Sequence, residues 1–202
     1  MSGKEKIIKA ALKIFMIKGY AASSMSDVVV EAQLSKGAIY YHFKNKKDLF
    51  LQCIDFMFEE YERWKLETYS DSIDVKEILQ TYLGSLAMIH EFVGHLTGTE
   101  ETNIDDFYKL MMEGFSKFPE IKEKHNTTNE SIMKRFNELL KIAQEDGVIK
   151  PELDCSFLGF MIIAIAEGTI VYHMLSKEID LEIVGNKLFK TLWTGISTEK
   201  VN

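Results

Sequence analysis

The sequence predicts an all-α protein of about nine helices, and three observations predict it. Only two prolines and twelve glycines punctuate 202 residues. Leucine, lysine, glutamate, methionine and phenylalanine recur at intervals of three and four, and no run alternates apolar and polar residues as a half-buried strand does. A chain of this length that is 46% hydrophobic can bury a core without disulfide or metal staples.

The elements follow in order. Ile8, Ala11, Leu12 and Phe15 form the stripe of a first helix from about Lys4 to Lys18. Gly19 is placed to end it, with Tyr20 folding back onto the last turn. Ser24 and Asp27 have the spacing of a capping box with a short acid, which starts a second helix over about Met25–Ala32. Ser35 can cap a third, Lys36–His42, leaving Gln33 and Leu34 as the whole turn. Two short helices joined so tightly cannot lie antiparallel; they read as a helix-turn-helix. Asn45 with Asp48 starts a fourth helix that runs towards Thr68 through Leu49, Phe50, Ile54, Phe56, Met57, Tyr61 and Trp64. Later starts are marked by Asp74 with Glu77, Asn103 with Asp106, Pro119, Asp154 and Asp180, and breaks by Gly98, Gly147 and residues 176–179.

Charge is unevenly spread. Residues 1–50 hold nine lysines against Glu5, Asp27, Glu31 and Asp48, a net of +5, which leaves −12 for the rest of a chain whose total is −7. A local polyanion-binding module needs a positive face only where it meets phosphate. Cys53 and Cys155 lie far apart without a C-x-x-C, so neither a disulfide framework nor a zinc motif is expected. The longest apolar stretch, Phe157–Ala166, is too short to span a bilayer, so the expectation is a protein with no membrane partner, cytoplasmic and nucleoid-associated.

The segment from Ser35 to Phe43, followed by Lys46, carries the chemistry. Ser35 can present a helix amino end to a phosphate. Gly37, lacking a side chain, lets the backbone approach DNA. Ile39 and Phe43, four apart, point inward, which leaves Lys36, Tyr40 and Tyr41 for the groove, and Ala38 with Tyr40 can add contacts to thymine methyl groups. Tyr41 and His42 are donors suited to phosphate oxygens. Lys46 stands in a first helical turn, where the dipole disfavours a cation, and a nearby phosphate would explain it. No arginine occurs in residues 1–50, so Lys36 is the best placed cation for a guanine edge.

These residues resemble the DNA-binding signature of the TetR/AcrR family of transcriptional regulators, which runs here through Phe15, Gly19, Tyr20, Ser24, Asp27, Val28, Ala32, Leu34, Ser35, Gly37, Tyr40, His42, Phe43 and Lys46. The close match covers about the first quarter of the chain. Two positions depart from it: Gln33 stands where the turn usually has glycine, and Val29 where helix two usually has a small residue. The resemblance implies an N-terminal helix-turn-helix domain at 1–46, joined by a long helix to a helical ligand-binding and dimerisation domain at 47–202. The DNA-contacting set is then Ser24, Ser35, Lys36, Gly37, Ala38, Tyr40, Tyr41, His42 and Lys46. It implies a homodimer through the last two helices, and the sequence agrees: Phe157–Tyr172 is apolar nearly all round, and Leu181, Ile183, Val184, Leu188, Phe189, Leu192 and Trp193 make a second stripe. A core helix of a monomer has the same periodicity.

Trp64, Met88, Phe92, Met111, Phe115 and Phe136, with Phe107, Tyr108 and Met112, fall in the helices that line the effector pocket in that family; each alone equally reads as core. They suit a small apolar or cationic effector. Glu167 is a carboxylate in an apolar run, where an unpaired charge is costly. Two readings stay open: it faces a cationic ligand, or it caps, pairs across a dimer or is neutral. His90 and His95 are five apart and diverge by about 140° on a helix, and His125 and His173 lack recognisable partners, so no metal and no cofactor is expected. With no phosphate loop, nucleophile elbow or paired acids, no enzyme is expected. The function expected is a ligand-responsive regulator, a repressor released from a palindromic operator by a small molecule. The alternative is a TetR-like architectural protein that binds many chromosomal sites without an inducer.

Overall fold

The computed structural model describes residues 2–68, 74–176 and 178–199, with the backbone alone at 65–68. Among these residues are ten α-helices: α1 Gly3–Ala22, α2 Met25–Ala32, α3 Lys36–His42, α4 Lys46–Thr68, α5 Val75–Gly84, α6 Ile89–Thr97, α7 Ile104–Lys117, α8 Pro119–Glu145, α9 Cys155–Leu175 and α10 Leu181–Ile196. All nine expected starts appear. The tenth helix arises because the segment after Asp74 bends through a single 3₁₀ turn, Ser85–Met88, and resumes as α6. There the Ser85 hydroxyl donates to the Tyr82 carbonyl (2.8 Å), a local bond that competes with the α-helical ladder. Counted as one bent helix, α5 and α6 restore the total of nine. Among the described residues extended pairing is limited to an isolated antiparallel bridge between Ile149 and Ser197. Of the expected break at 176–179, Lys177 lies outside the described residues.

The chain forms two compact units, one of residues 1–65 and 89–124, the other of 66–88 and 125–202. In the first, Leu12 and Phe15 of α1, Val28 of α2, Ile39 of α3, Phe50 and Ile54 of α4, Phe92 of α6, and Leu110 of α7 belong to one buried cluster. The helix-turn-helix therefore has no private core; α1, α4, α6 and α7 supply it.

In the second unit α10 lies on α5 so closely that a Cβ on Gly185 would sit 2.3 Å from the Leu83 carbonyl oxygen. The Tyr82 and Phe136 rings meet edge-on at 4.9 Å. Asp154 and Asp180 cap α9 and α10, each accepting from two backbone amides. One face of α9 is buried through Leu158, Ile162, Ala166 and Ile170, while Phe157, Phe160, Val171, Tyr172 and Leu175 are exposed. By length and composition this 21-residue helix is apolar enough to cross a bilayer, which corrects the expectation drawn from Phe157–Ala166. That expectation stopped the run at Glu167, but one carboxylate does not end a helix, and the apolar turns beyond it count towards the span.

Two backbone features position the helix-turn-helix. The first is a break near the end of α1, where Gly19 has φ 78° and ψ 159°, a region essentially restricted to glycine. The chain then makes one further turn before Ser23, and the orphaned amides of Tyr20 and Ala21 are taken by the Glu113 carboxylate of α7, at 2.7 and 3.1 Å. The carbonyls on the same stretch are taken by the Lys46 ammonium, which donates to Tyr20 O and Ser23 O, both at 2.8 Å. Tyr20 is locked between Phe50 and Phe118, with ring centroids at 4.7 and 5.0 Å.

The second feature is Gln33, the C-cap of α2, in the left-handed region at φ 52°, ψ 44°. It is the sole non-glycine residue with positive φ among those described. A side chain there costs about 1–2 kcal/mol, a strain that glycine removes.

Two outcomes are expected. Gln33→Gly should stabilise the protein by about 0.5–1 kcal/mol, after allowance for glycine's extra freedom in the unfolded chain, and raise Tm by about 1–4 °C; an unchanged or lower Tm shows that the turn is not strained. Glu113→Ala should cost about 1–2 kcal/mol and selectively speed hydrogen exchange at the Tyr20 and Ala21 amides. Uniform acceleration across α1 would show that the carboxylate does not hold this break in particular.

Candidate nucleic-acid interface

The helix-turn-helix is built from its caps outward. The Ser24 Oγ accepts from the Asp27 amide (3.2 Å) while the Asp27 carboxylate accepts from the Ser24 amide (2.7 Å) and hydroxyl (2.6 Å). The Lys18 ammonium at 2.6 Å is the first cause that lowers the Asp27 carboxyl to about 2, and the Ser24 hydroxyl and amide come next. Ser24 thus has its hydrogen bonding directed inward. Ser35 caps α3 by accepting from the Ala38 amide (3.2 Å).

Two fully buried residues, Ile39 and Phe43, anchor α3. The opposite side carries Lys36, Tyr40 and Tyr41, with His42 also exposed. Tyr41 is 84% and Tyr40 43% exposed, while Ala38 is half-buried. The Lys36 ammonium lies 5.7 Å from the Tyr40 ring, and the Tyr41 and His42 rings meet edge-on at 5.0 Å. A seven-residue helix that leaves a cation, an imidazole and two phenols facing solvent, with donors outward, is chemically able to contact phosphates and base edges. Gly37 is exposed, and a Cβ there would meet nothing closer than Ser35 Oγ at 3.9 Å. Packing within the chain does not require a glycine at this position.

The structure finds internal partners for Lys46. Its ammonium rests on the carbonyls at the end of α1 and lies 4.5 Å from the Tyr20 ring. These carbonyls account for a cation in the first turn of α4 without a phosphate. Glu113 was not legible as part of this arrangement, because it lies about ninety residues from the amides it holds and no local motif marks such a pairing.

The candidate effector-pocket residues divide between the units. Trp64, Phe92, Met111 and Phe115 belong to the first, where Trp64 and Phe92 are 5.6 Å apart by ring centroid and Met111 is buried. Met88, Phe136 and Glu167 belong to the second; Phe136 is buried and Glu167 is exposed on α9. A residue that sequence reading missed is Glu60, a carboxylate only 6% exposed on α4. It accepts from Arg63 at 2.6 Å and faces His95 Nε2 at 3.0 Å. Nothing sets it apart from its neighbour Glu59 in the sequence. His125 and His173 also have partners, Asn129 at 2.9 Å and the Ile179 carbonyl at 2.7 Å.

Residues 7–53 match the family described as bacterial regulatory proteins, tetR family. The HTH-type transcriptional regulator QacR of Staphylococcus aureus is 38% identical over 68 residues, 33% of this chain and 36% of that protein. The chain spans about a third to about half of the length of the first curated relatives it matches. Two solved structures share the fold along nearly the whole chain. The SmeT–triclosan complex has a TM-score of 0.75 at 17% identity, over 100% of this chain and 95% of that one. The regulator FadR from Bacillus subtilis with stearoyl-CoA has a TM-score of 0.68 at 23% identity, over 95% and 98%. Residues 7–53 thus carry the sequence of the tetR family of bacterial regulatory proteins, and the chain as a whole shares the fold of these two regulators.

Proposed function

We propose that the protein is a ligand-responsive transcriptional regulator, a repressor that binds an inverted-repeat operator as a homodimer and leaves it when a small molecule binds. The observation that carries this reading is the exposed face of α3, with Lys36, Tyr40, Tyr41 and His42 presented from a buried Ile39–Phe43 anchor. Residues 1–46 are the DNA-binding part and 47–202 the sensing and dimerising part. Lys36 with Ala38 and Tyr40 reads base edges, while Tyr41, His42 and the amino end of α3 at Ser35 and Gly37 hold phosphates. Lys46 and Ser24 serve mainly by fixing the helices that carry these groups.

The dimer surface is assigned to α9 and α10. A helix whose outer face carries Phe157, Phe160, Val171, Tyr172 and Leu175 loses free energy if left in water, roughly 1.5–3 kcal/mol for each large side chain that could be buried, and a second copy covers that face. This also accounts for a helix apolar enough to pass for a membrane span. The effector is apolar or cationic, and its candidate contacts are Trp64, Phe92, Met111 and Phe115 in the first unit and, separately, Met88, Phe136 and Glu167 in the second. Two fold neighbours have been solved with triclosan and with stearoyl-CoA, which supports sensing over a purely architectural role.

Binding to the intergenic DNA beside the gene, followed by displacement with compounds that raise Tm, tests the reading. Binders that leave DNA affinity unchanged count against coupling. Lys36→Ala is expected to cost about 1–3 kcal/mol on the operator and little on scrambled duplex; equal weakening on both makes Lys36 a phosphate contact. Sedimentation should give a dimer at micromolar concentration, and Phe160→Lys should shift it towards monomer. A wild-type monomer that binds the operator as a single copy overturns the dimer.

A further inference from the structure

The nine lysines of residues 1–50 are divided by their partners. Five are occupied. Lys13 bridges Glu31 at 2.9 Å and Glu101 at 3.0 Å, Lys18 pairs with Asp27 at 2.6 Å, and Lys47 pairs with Glu120 at 2.9 Å. Lys9 donates to the His95 carbonyl (3.3 Å), and Lys46 to those at the end of α1. Among the described residues the ammoniums of Lys4, Lys6, Lys36 and Lys44 have no carboxylate or carbonyl within bonding distance. The net charge of this segment therefore overstates how far its cations are available to an outside anion; four sites supply the accessible part.

Two of these four meet at one place. The Lys4 ammonium lies 6.0 Å from the ring of Phe43, the residue that closes α3. Lys44 is the next residue, exposed, and its backbone amide donates to Asp48 in the first turn of α4 (2.7 Å). Asp48 feels the charge of both lysines, and its carboxylate is already engaged by the Lys44 amide and by Gln52 Nε2 at 2.9 Å. Two ammoniums outweigh this one carboxylate. The corner where α3 ends and α4 begins is thus a cationic point at the opposite end of α3 from Lys36. Lys6 is two residues along α1 from Lys4, about 200° round the helix, and serves as the internal control.

We propose that Lys4 and Lys44 form a phosphate clamp on duplex DNA at the α3–α4 corner, in addition to the residues of the helix-turn-helix signature. Lys46 occupies the sequence position expected for that task but is committed within the chain; Lys4 and Lys44 hold the free charge beside it. The clamp grips the backbone at the carboxyl end of α3 while Lys36 works at its amino end, so the two ends together set the tilt of the helix on DNA. The inference rests on the DNA-binding reading.

The test uses the full chain and a random-sequence duplex of about 30 base pairs, long enough for half-sites one turn apart, with affinity followed between about 50 and 200 mM salt. Lys4→Ala and Lys44→Ala should each make log affinity against log salt shallower by about 0.9 per bound head, and the double variant by about twice that. Lys6→Ala and the ion-paired Lys18→Ala should leave the slope near wild type. Lys4→Arg and Lys44→Arg should keep the wild-type slope, which separates loss of charge from loss of fold. Unchanged slopes in Lys4→Ala and Lys44→Ala overturn the clamp, as does an equal change in Lys6→Ala, which would mean diffuse charge. A wild-type protein without salt-dependent duplex binding defeats the DNA-binding reading itself, a result distinct from the others.

Discussion

The first unit depends on how the chain is turned between α1 and α2. A single glycine conformation at Gly19 ends the regular helix, and charged side chains from elsewhere meet the amides of Tyr20 and Ala21 and the carbonyls of Tyr20 and Ser23. Glu113 takes the amides, Lys46 takes the carbonyls, and the Tyr20 ring lies beneath the Lys46 ammonium and against Phe50 and Phe118. A backbone break left without such partners costs about the desolvation penalty of each group, roughly 1–3 kcal/mol. Here opposite charges on α7 and α4 hold its two ends, so the entry to α2 is fixed in direction by helices outside the α2–α3 pair.

The consequence for recognition is mechanical. α3 is a seven-residue helix, too short to hold its own shape in water, and it is held by Ile39 and Phe43 in a core to which α1, α4, α6 and α7 all contribute. Any rearrangement of α4 or α7 therefore reaches the α1–α2 junction through Lys46 or Glu113 without an intervening flexible linker. Such a shared core is a physical route by which a change at α4 or α7 can alter the presentation of α3.

Charge is used in two ways within the same fifty residues. Lys13, Lys18, Lys46 and Lys47 are spent on structure, tying α1 to α2, α1 to the loop after α6, and α4 to the end of α1 and to α8. Exposed pairs of this kind contribute little each, at most about 1 kcal/mol, but they also neutralise cations that would otherwise attract phosphate away from the recognition face. What remains positive is Lys6 on α1, Lys36 at the start of α3 and the Lys4–Lys44 pair at its carboxyl-terminal corner. In the second unit the corresponding unspent surface is apolar, the outer face of α9, and its natural complement is another apolar surface rather than an anion.

The sequence by itself determined whatever depends on near neighbours. The capping box at Ser24, the Ser35 cap, the stripe of α1, the turn at Gln33 and Leu34, and the inward direction of Ile39 and Phe43 all involve residues within about four positions of one another. The left-handed strain at Gln33 was foreseeable for the same reason, as was the family to which the α1–α4 pattern belongs. Only the tertiary structure decided where the long-range partners lie. It gave Lys46 partners at the end of α1, brought Glu113 to Tyr20 and Ala21, paired the buried Glu60 with His95, interrupted the helix after Gly84, and showed which face of α9 is covered. The physical reason is that periodicity fixes the face on which a side chain lies but not what that face meets. A lysine in a first helical turn looks the same in sequence whether its anionic partner is a phosphate or the carbonyl end of another helix.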